Sequence, residues 1–414
     1  MFFCGILTDR SLEYERAFEN ASFTNRPFSR RGVVIMRDMK VAVLGFGAMG
    51  RARNVAYPNV AKYYSDSPIN PVITQGFVLE HEADAARKLG WDVNLDMMDA
   101  IKNDKSEYVD ICLPNALHYS AALAAIEAKK HVFCEKPLAI SVDEAREMTE
   151  AAEAVPGLLN SVNFIYRRCP ANVFARQIVQ ENWFGKLLEA RSYYNQSWGG
   201  PNTGFGWRFD VKAGGGTLGD LGSHAIDMLY FVTGMRPSEV VATQVTHVKE
   251  RMGNVTKSDG SVVREPIPNE VDDGTRVVYN LPNGGIGSLE CTRNAWGTEN
   301  TQGYEFYFEN GAIRWSYDEV NYLEVYDPSV RGRGWRRVLC NQGGFAYCHF
   351  SGGHMDGYRD FLTSACYENM RAIEGMDPIA PIATFRDAYE VERTIEAIRR
   401  SHRERRWVKL DEIK

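Results

Sequence analysis

Val41-Ala42-Val43-Leu44 runs directly into Gly45-Phe46-Gly47-Ala48-Met49-Gly50, and no other stretch narrows the fold of this chain as much. A continuous apolar run suits a strand buried on both faces, as in a parallel sheet. Gly45 permits a tight turn, Gly47 lets a pyrophosphate approach the backbone, and Gly50 allows the next helix to pack closely on the strand. The start of that helix offers N–H donors and partial positive charge to phosphates. The stretch therefore predicts a dinucleotide cradle formed by Gly45, Phe46, Gly47, Ala48, Met49 and Gly50, followed by a helix to about Asn54.

The residues beyond this helix repeat the theme. Strands are expected near 72–79, 108–113, 131–134 and 158–164, alternating with helices near 83–89, 116–128 and 141–154. Such alternation predicts right-handed βαβ units and a doubly wound parallel sheet. After residue 165 the texture changes. Alternating stretches at 186–196, 239–248, 272–281, 284–292, 303–315 and 321–327, rich in Tyr, Val, Thr and Phe and broken at Asn283-Gly284 and Asn310-Gly311, predict a large antiparallel sheet. The expected fold class is α/β: an N-terminal Rossmann sheet, then an α/β domain with a large open, mainly antiparallel sheet. The expected divisions are an N-terminal extension over 1–38, a nucleotide domain over 39–164, and a substrate and oligomerisation domain over 165–384. A helix and strand over 385–414 are expected to return toward the first domain. The extension shows no periodicity; a start at Met36 or Met39 with a leader before it, and a native arm, are both open.

Composition bounds the partners. The 414 residues suffice for two cores, and 48 Lys and Arg against 54 Asp and Glu give a net charge of −6. That balance gives no reason to expect nucleic acid or an anionic membrane as partner. No apolar run approaches the length of a bilayer span, and the first residues lack the basic region of a secretory signal. Eight scattered cysteines without a C-x-x-C pair suit reduced thiols in a cytoplasmic enzyme. His349 and His354 sit five apart, yet no ligand spacing emerges, so no metal is expected.

Three further signals carry chemistry. Glu80, at the expected end of the second strand, could accept hydrogen bonds from a ribose, and its charge would repel a 2′-phosphate. NAD is thus expected, with NADP disfavoured, although Glu80 stands 30 residues beyond Gly50, which suggests an insertion over 57–71 and leaves Glu82 as a neighbouring choice. Glu135-Lys136-Pro137 follows an apolar strand and so points at the ligand crevice of a parallel sheet. Lys136 could polarise an alcohol oxygen, Pro137 permits a cis bond, and Glu135 would help seat the cofactor. Last, Gly214-Gly215-Gly216-Thr217-Leu218-Gly219-Asp220-Leu221-Gly222-Ser223-His224 places Asp220 and His224 four apart on a helix that ends at Gly234. His224 could take a hydroxyl proton with Asp220 orienting it. Thr217 and Asp220 also read as a capping box.

Together these motifs resemble the Gfo/Idh/MocA family over about residues 39–412. The resemblance implies a catalytic set of Lys136, Asp220 and His224, and an open sheet that often forms the oligomer interface, so a dimer or tetramer is expected. It implies a cofactor-side segment at Leu113, Pro114, Asn115, Ala116, Leu117 and His118, and a Tyr166-Arg167 pair ahead of Pro170. Asn195-Gln196-Ser197-Trp198, Trp207-Arg208-Phe209-Asp210 and Gly353-His354-Met355-Asp356-Gly357-Tyr358 look like levoglucosan-dehydrogenase-like and inositol-dehydrogenase-like members. This implies Tyr166, Arg167, Gln196, Trp207, Arg208 and His354 as substrate-binding residues. Relatives often carry Asn where this chain has Ile165; Asn163 is the candidate substitute.

The expected activity is oxidation of a secondary hydroxyl of a sugar, glycoside or cyclitol to a ketone by hydride transfer to NAD. Redox-assisted glycoside cleavage and a sugar oxidoreductase with a retained cofactor stand as alternatives, and a non-catalytic NAD sensor as a third.

Overall fold

A computed structural model describes residues 36–330, 332–349 and 353–414. Most of the expected extension lies outside the described residues, and Arg37 and Asp38 already belong to the first strand.

The first sheet collects β1 (Arg37–Leu44), β2 (Ile69–Phe77), β3 (Asp92–Asn94), β4 (Tyr108–Ile111), β5 (His131–Cys134) and β6 (Asn160–Val162) in the order β3-β2-β1-β4-β5-β6. Every pairing is parallel. Its connecting helices are α1 (Ala48–Tyr63), α2 (Ala83–Lys88), α3 (Met97–Lys102), α4 (His118–Glu127) and α5 (Val142–Glu153). Helix α1 runs nine residues beyond the expected stop at Asn54 and replaces the first part of the expected insertion. Pro58 argued for a break there. Tertiary burial prevails instead, because Gly50, Arg53, Ala56, Tyr57 and Val60 form one buried face, and Tyr64 just beyond it stacks on Tyr367 with ring centroids 3.7 Å apart.

The second unit begins with α6 (Pro170–Gln180), β7 (Leu187–Gln196) and α7 (Ser223–Thr233). Strands β8 (Glu239–Val245), β9 (Glu250–Thr256), β10 (Val262–Pro268), β11 (Gly274–Asn280), β12 (Ile286–Thr292), β13 (Asn300–Phe308), β14 (Gly311–Ser316), β15 (Tyr322–Tyr326) and β16 (Arg336–Leu339) come next. The chain then forms α8 (Tyr358–Ile373), α9 (Phe385–Glu404) and β17 (Val408–Lys409). The large sheet has the order β16-β15-β14-β13-β7-β12-β11-β8-β17, antiparallel except where β7 meets β12. The stretch expected at 303–315 divides into β13 and β14 at Asn310-Gly311, and β9 with β10 adds a separate hairpin that alternation alone did not reveal.

Helix α9 joins the two units. Thr384 caps its N-terminus, accepting from the Asp387 N–H at 3.2 Å. Its length lets it pack on α5 of the first unit and on β8 of the second. The chain end departs from expectation: β17 pairs with β8 and so extends the large sheet rather than returning to the first. Under the site, Trp315 of β14 is 2% exposed, stacks on Tyr304 at 5.9 Å and donates its indole N–H to the Val320 carbonyl at 3.0 Å. Trp315→Ala should cost about 3–5 kcal/mol, read as a lower urea midpoint at an unchanged slope; an unchanged midpoint would show that the ring does not anchor this core.

Candidate active site

The glycine turn has the geometry that a pyrophosphate requires. Gly45 adopts φ +101°, and a Cβ there would lie 2.5 Å from the Cys112 carbonyl oxygen. A Cβ on Gly50 would meet the Gly45 oxygen at 2.0 Å, whereas one on Gly47 would meet nothing within 4 Å, so open space lies beside that residue. Gly47 is the N-cap of α1 and offers no side-chain acceptor, which leaves the first N–H groups of the helix available to an anion. Phe46 is buried edge-on against Trp91 at 5.2 Å, and Met49 sulfur receives the Tyr358 hydroxyl at 3.7 Å. Ala48 opens the helix. These residues fit a dinucleotide.

Glu80 lies in a short turn just past β2, exposed. Its neighbour Glu82 instead bonds back to the Leu79 N–H at 3.2 Å. Of the two carboxylates, Glu82 is thus the one engaged within the turn.

Glu135 and Lys136 follow β5, and the Lys136–Pro137 bond is cis. Their side chains separate. Glu135 turns inward and accepts from Arg53 Nη2 at 2.9 Å and from Asn163 Nδ2 at 2.8 Å. Arg53 also pairs with Asp110, which accepts the Tyr57 hydroxyl at 2.6 Å. Arg53 and Asp110 are wholly buried. A charge inside the apolar strand Tyr108–Ile111, and another on the buried face of α1, were the available signals of this network, and neither falls within a motif. Asn163, the candidate substitute for the polar residue missing at Ile165, thus holds Glu135.

Lys136 points the other way, into the second unit. Its Nζ donates to Asp220 Oδ1 at 2.7 Å and to the Asp220 carbonyl at 2.8 Å. The second oxygen, Oδ2, accepts from Arg293 Nη2 at 2.7 Å and lies 3.5 Å from Arg208 Nε. Burial alone would raise the Asp220 carboxyl. Lys136, then Arg293 and Arg208, reverse that effect and hold it well below the usual carboxylate range. Asp220 is therefore a permanent anion among three cations.

The turn that carries Asp220 is not the expected capping box. Residues Leu218–Gly222 form a π-helical turn in which the Ser223 N–H reaches the Leu218 carbonyl, and α7 begins only at Ser223. Thr217 donates its hydroxyl to the Asp272 carbonyl at 3.0 Å, and Asp272 Oδ2 accepts the Leu218 N–H at 2.9 Å. Asp272, distant in sequence, is the cap. Gly216, at φ +118°, lies so close that a Cβ would meet Asp272 Oδ1 at 2.7 Å. The expected helix stop at Gly234 is present, at φ +71°.

His224 lies in an aromatic enclosure, with Tyr166 at 5.0 Å, Tyr194 at 5.7 Å and Phe164 at 5.9 Å between ring centroids. Burial, then the charge of Lys136, pushes its pKa well below the ordinary value, against a weaker pull from Asp220. The ring is neutral. Among the described residues Asp220 gives its oxygens to Lys136 and Arg293 and makes no hydrogen bond with His224, so the expected orientation of the imidazole by that carboxylate is replaced by aromatic packing.

The remaining expected residues divide. Asn115 donates Nδ2 to the Gly214 carbonyl at 2.9 Å and so ties the loop after β4, with Leu113 and Pro114, to the glycine-rich turn. His118 is fully buried, its ring nitrogens each 2.9 Å from a carbonyl, one of Leu113 and one of Pro137. It braces these loops from behind and does not face the cleft. Tyr166 shares a hydroxyl contact with Tyr194 at 2.9 Å. Arg167, 4% exposed, spends its guanidinium on Asp227 at 3.0 Å. Gln196 donates to Asn300 at 2.6 Å and accepts from the Trp198 indole at 2.5 Å. Arg208 is exposed and stacks on Trp207 at 4.3 Å, beside Asp220. His354 is exposed in the turn before α8, and its carbonyl accepts from Asn341. No group of three potential metal ligands occurs among the described residues, and no helix there is long and apolar enough to cross a membrane. A broad depression on the large sheet, lined by Arg191, Val241, Val278 and Glu305, shares no residue with this site.

Known proteins resemble this chain in sequence and fold. A model described as an oxidoreductase family with an NAD-binding Rossmann fold matches residues 39–163, and the GFO/IDH/MocA C-terminal domain matches residues 173–314. Levoglucosan dehydrogenase of Pseudarthrobacter phenanthrenivorans is 32% identical over 399 residues, covering 91% of this chain and all of the relative. Among solved structures, an oxidoreductase domain protein from Kribbella flavida is 33% identical with a TM-score of 0.83, covering 91% of this chain and 100% of that one. A levoglucosan dehydrogenase in complex with NADH and levoglucosan is 31% identical with a TM-score of 0.81, covering 90% and 100% respectively.

Gly50→Ala should weaken NADH binding at least about tenfold in a fluorescence titration, because the added methyl displaces the turn that the phosphates need. Binding at wild-type strength would mean that the cradle is elsewhere.

Proposed function

The chain belongs to the GFO/IDH/MocA family of NAD(P)-dependent oxidoreductases acting on CH–OH groups, and from that premise we propose that it oxidises a secondary hydroxyl of a sugar, glycoside or cyclitol to a ketone. The observation that carries this reading is the meeting of a fixed ammonium, Lys136, with a neutral buried imidazole, His224, beside the cofactor-side loops. When bound, NAD supplies a hydride acceptor. The exposed carboxylate of Glu80 favours it over NADP.

In this reading Lys136 keeps two hydrogen bonds to Asp220 and turns its remaining N–H to the substrate oxygen, where it stabilises developing negative charge. His224 accepts the hydroxyl proton; its low pKa keeps it free to do so at neutral pH. Its enclosure by Tyr166, Tyr194 and Phe164 fixes the ring and excludes water. Trp207, Arg208 and Gln196 border the space on the sugar side, where rings suit sugar faces and polar groups suit hydroxyls. The levoglucosan dehydrogenase relative, matched along its whole length, supports a cyclic sugar as substrate. Free thiols throughout the described residues suit a reducing cytoplasm, and the open face of the large sheet would seat a second copy.

The test is NADH absorbance with NAD across sugars, glycosides, anhydrosugars and inositols, with products weighed in the same wells. A substrate-dependent rise with a product two hydrogens lighter is expected. Aglycone release without net NADH would replace the proposal with redox-assisted cleavage, and no reaction across the panel would remove it. Lys136→Met should lower turnover by on the order of 10³-fold while NADH still binds; unchanged turnover would remove Lys136 from the mechanism.

The pH profile depends on His224. Its pKa is depressed in the folded protein, so the active neutral form persists above that value and is lost as the pH falls through it. The acid limb of kcat/KM should therefore lie below about 6.5, the ordinary histidine value. A limb above 6.5 would contradict the role given to this ring.

A further inference from the structure

Arg293 stands directly after β12, carries no sequence motif, and is wholly buried. Its guanidinium reaches two segments around the site at three points. Nη2 donates to Asp220 Oδ2 at 2.7 Å and to the Gly216 carbonyl at 3.1 Å, and Nη1 donates to the Arg208 carbonyl at 3.1 Å. Trp198 lies against it at 4.9 Å and Phe209 at 5.5 Å from the guanidinium carbon to the ring centres. The next backbone, at Gly199, comes so close that a Cβ would sit 2.5 Å from the Arg293 Cβ.

We propose that Arg293 is a positioning residue of the alcohol-oxidising site: it holds the far oxygen of Asp220, and the backbone on either side of the glycine-rich turn, so that the near oxygen stays aimed at Lys136. A planar fork with several donors can do this in one fixed geometry, which a lysine cannot reproduce. The arrangement also divides the charge of Asp220. With Oδ2 engaged by Arg293, the carboxylate only partly neutralises Lys136, and the ammonium keeps positive character for the substrate oxygen. The assignment rests on the dehydrogenase reading for its kinetic consequences but not for its geometry.

The groups facing His224 are Lys136 and Asp220, with Tyr166 after β6 and Tyr194 on β7; Arg293 and Arg208 touch Asp220 and reach the ring only through its placement. Turning Asp220 away from Lys136 removes the carboxylate that raises the His224 pKa and leaves the ammonium that lowers it less compensated, so the pKa of the ring should fall.

Arg293→Met and Arg293→Lys should be compared with the wild type, each with NADH bound. In Arg293→Met the Asp220 carboxylate should turn away, and a crystal structure should show its contact with Lys136 lost. Turnover on the substrate found for the wild type should fall about 100-fold with NADH affinity retained, and the acid limb of kcat/KM should move to lower pH. Arg293→Lys keeps the charge without the fork, so it should leave the limb in place while turnover stays low; it decides the matter if the methionine variant does not fold. A variant with wild-type turnover and an unmoved limb would show that Arg293 only fills space. If the wild type oxidises none of the alcohols, the functional reading fails by itself. The crystal structure then still decides this proposal, because an intact Lys136–Asp220 contact without Arg293 would overturn it.

Discussion

The contact between Lys136 and Asp220 is the interaction on which the rest of the site depends. It spans the two units: Lys136 leaves the carboxyl end of a strand in the parallel sheet, and Asp220 leaves the turn ahead of the helix that covers the large sheet. Two unit charges in contact at a partly buried position attract by about 4 kcal/mol at an effective dielectric of 20. Much of that is spent on taking both out of water. The net gain is thus smaller than the attraction, and the pair matters chiefly because it fixes one ammonium at one place. Neither partner could occupy this depth alone, and Arg293 and the exposed Arg208 complete the compensation of the carboxylate.

Around this pair the structure spends polar groups on holding loops rather than on facing the ligand. Asn115 grips Gly214, His118 sits between the Leu113 and Pro137 carbonyls, and Arg53 holds Glu135 and Asp110 together. All lie buried or nearly so. Each connects a loop after β4 or β5 to another segment, and loops so fixed need little reorganisation when a ligand arrives. Helix α9, in contact with both sheets, makes the same connection at the scale of the whole molecule.

His224 is treated differently. Aromatic rings enclose it, and among the described residues no carboxylate pairs with it directly. Burial among rings favours the neutral imidazole, whereas a bonded carboxylate would favour the charged one. Lys136, close by, pushes in the same direction as burial. One small region thus holds a charged pair, Lys136 with Asp220, beside an imidazole that burial keeps neutral.

Much of this was legible in the residues. The run from Val41 to Gly50 determined the first strand, the turn and the start of the helix, because an apolar run suits a buried strand and because Gly45 and Gly50 stand where a side chain would clash. Lys136, Asp220 and His224 stood out because their residue types and their places at strand and helix ends suit proton transfer. What the sequence could not determine is who partners whom across distant segments. Arg293 for Asp220, Asp272 as the cap, Arg53 for Asp110, and Asp227 for Arg167 are all pairings between residues dozens apart, and local periodicity carries no trace of them. The continuation of α1 past Pro58 and the joining of β17 to the large sheet were likewise decided by burial against other elements. The sequence by itself determined which chemical groups are present and the elements that carry them. Only tertiary packing decided which buried charges face each other, since that choice depends on desolvation and on the nearest opposite charge in space.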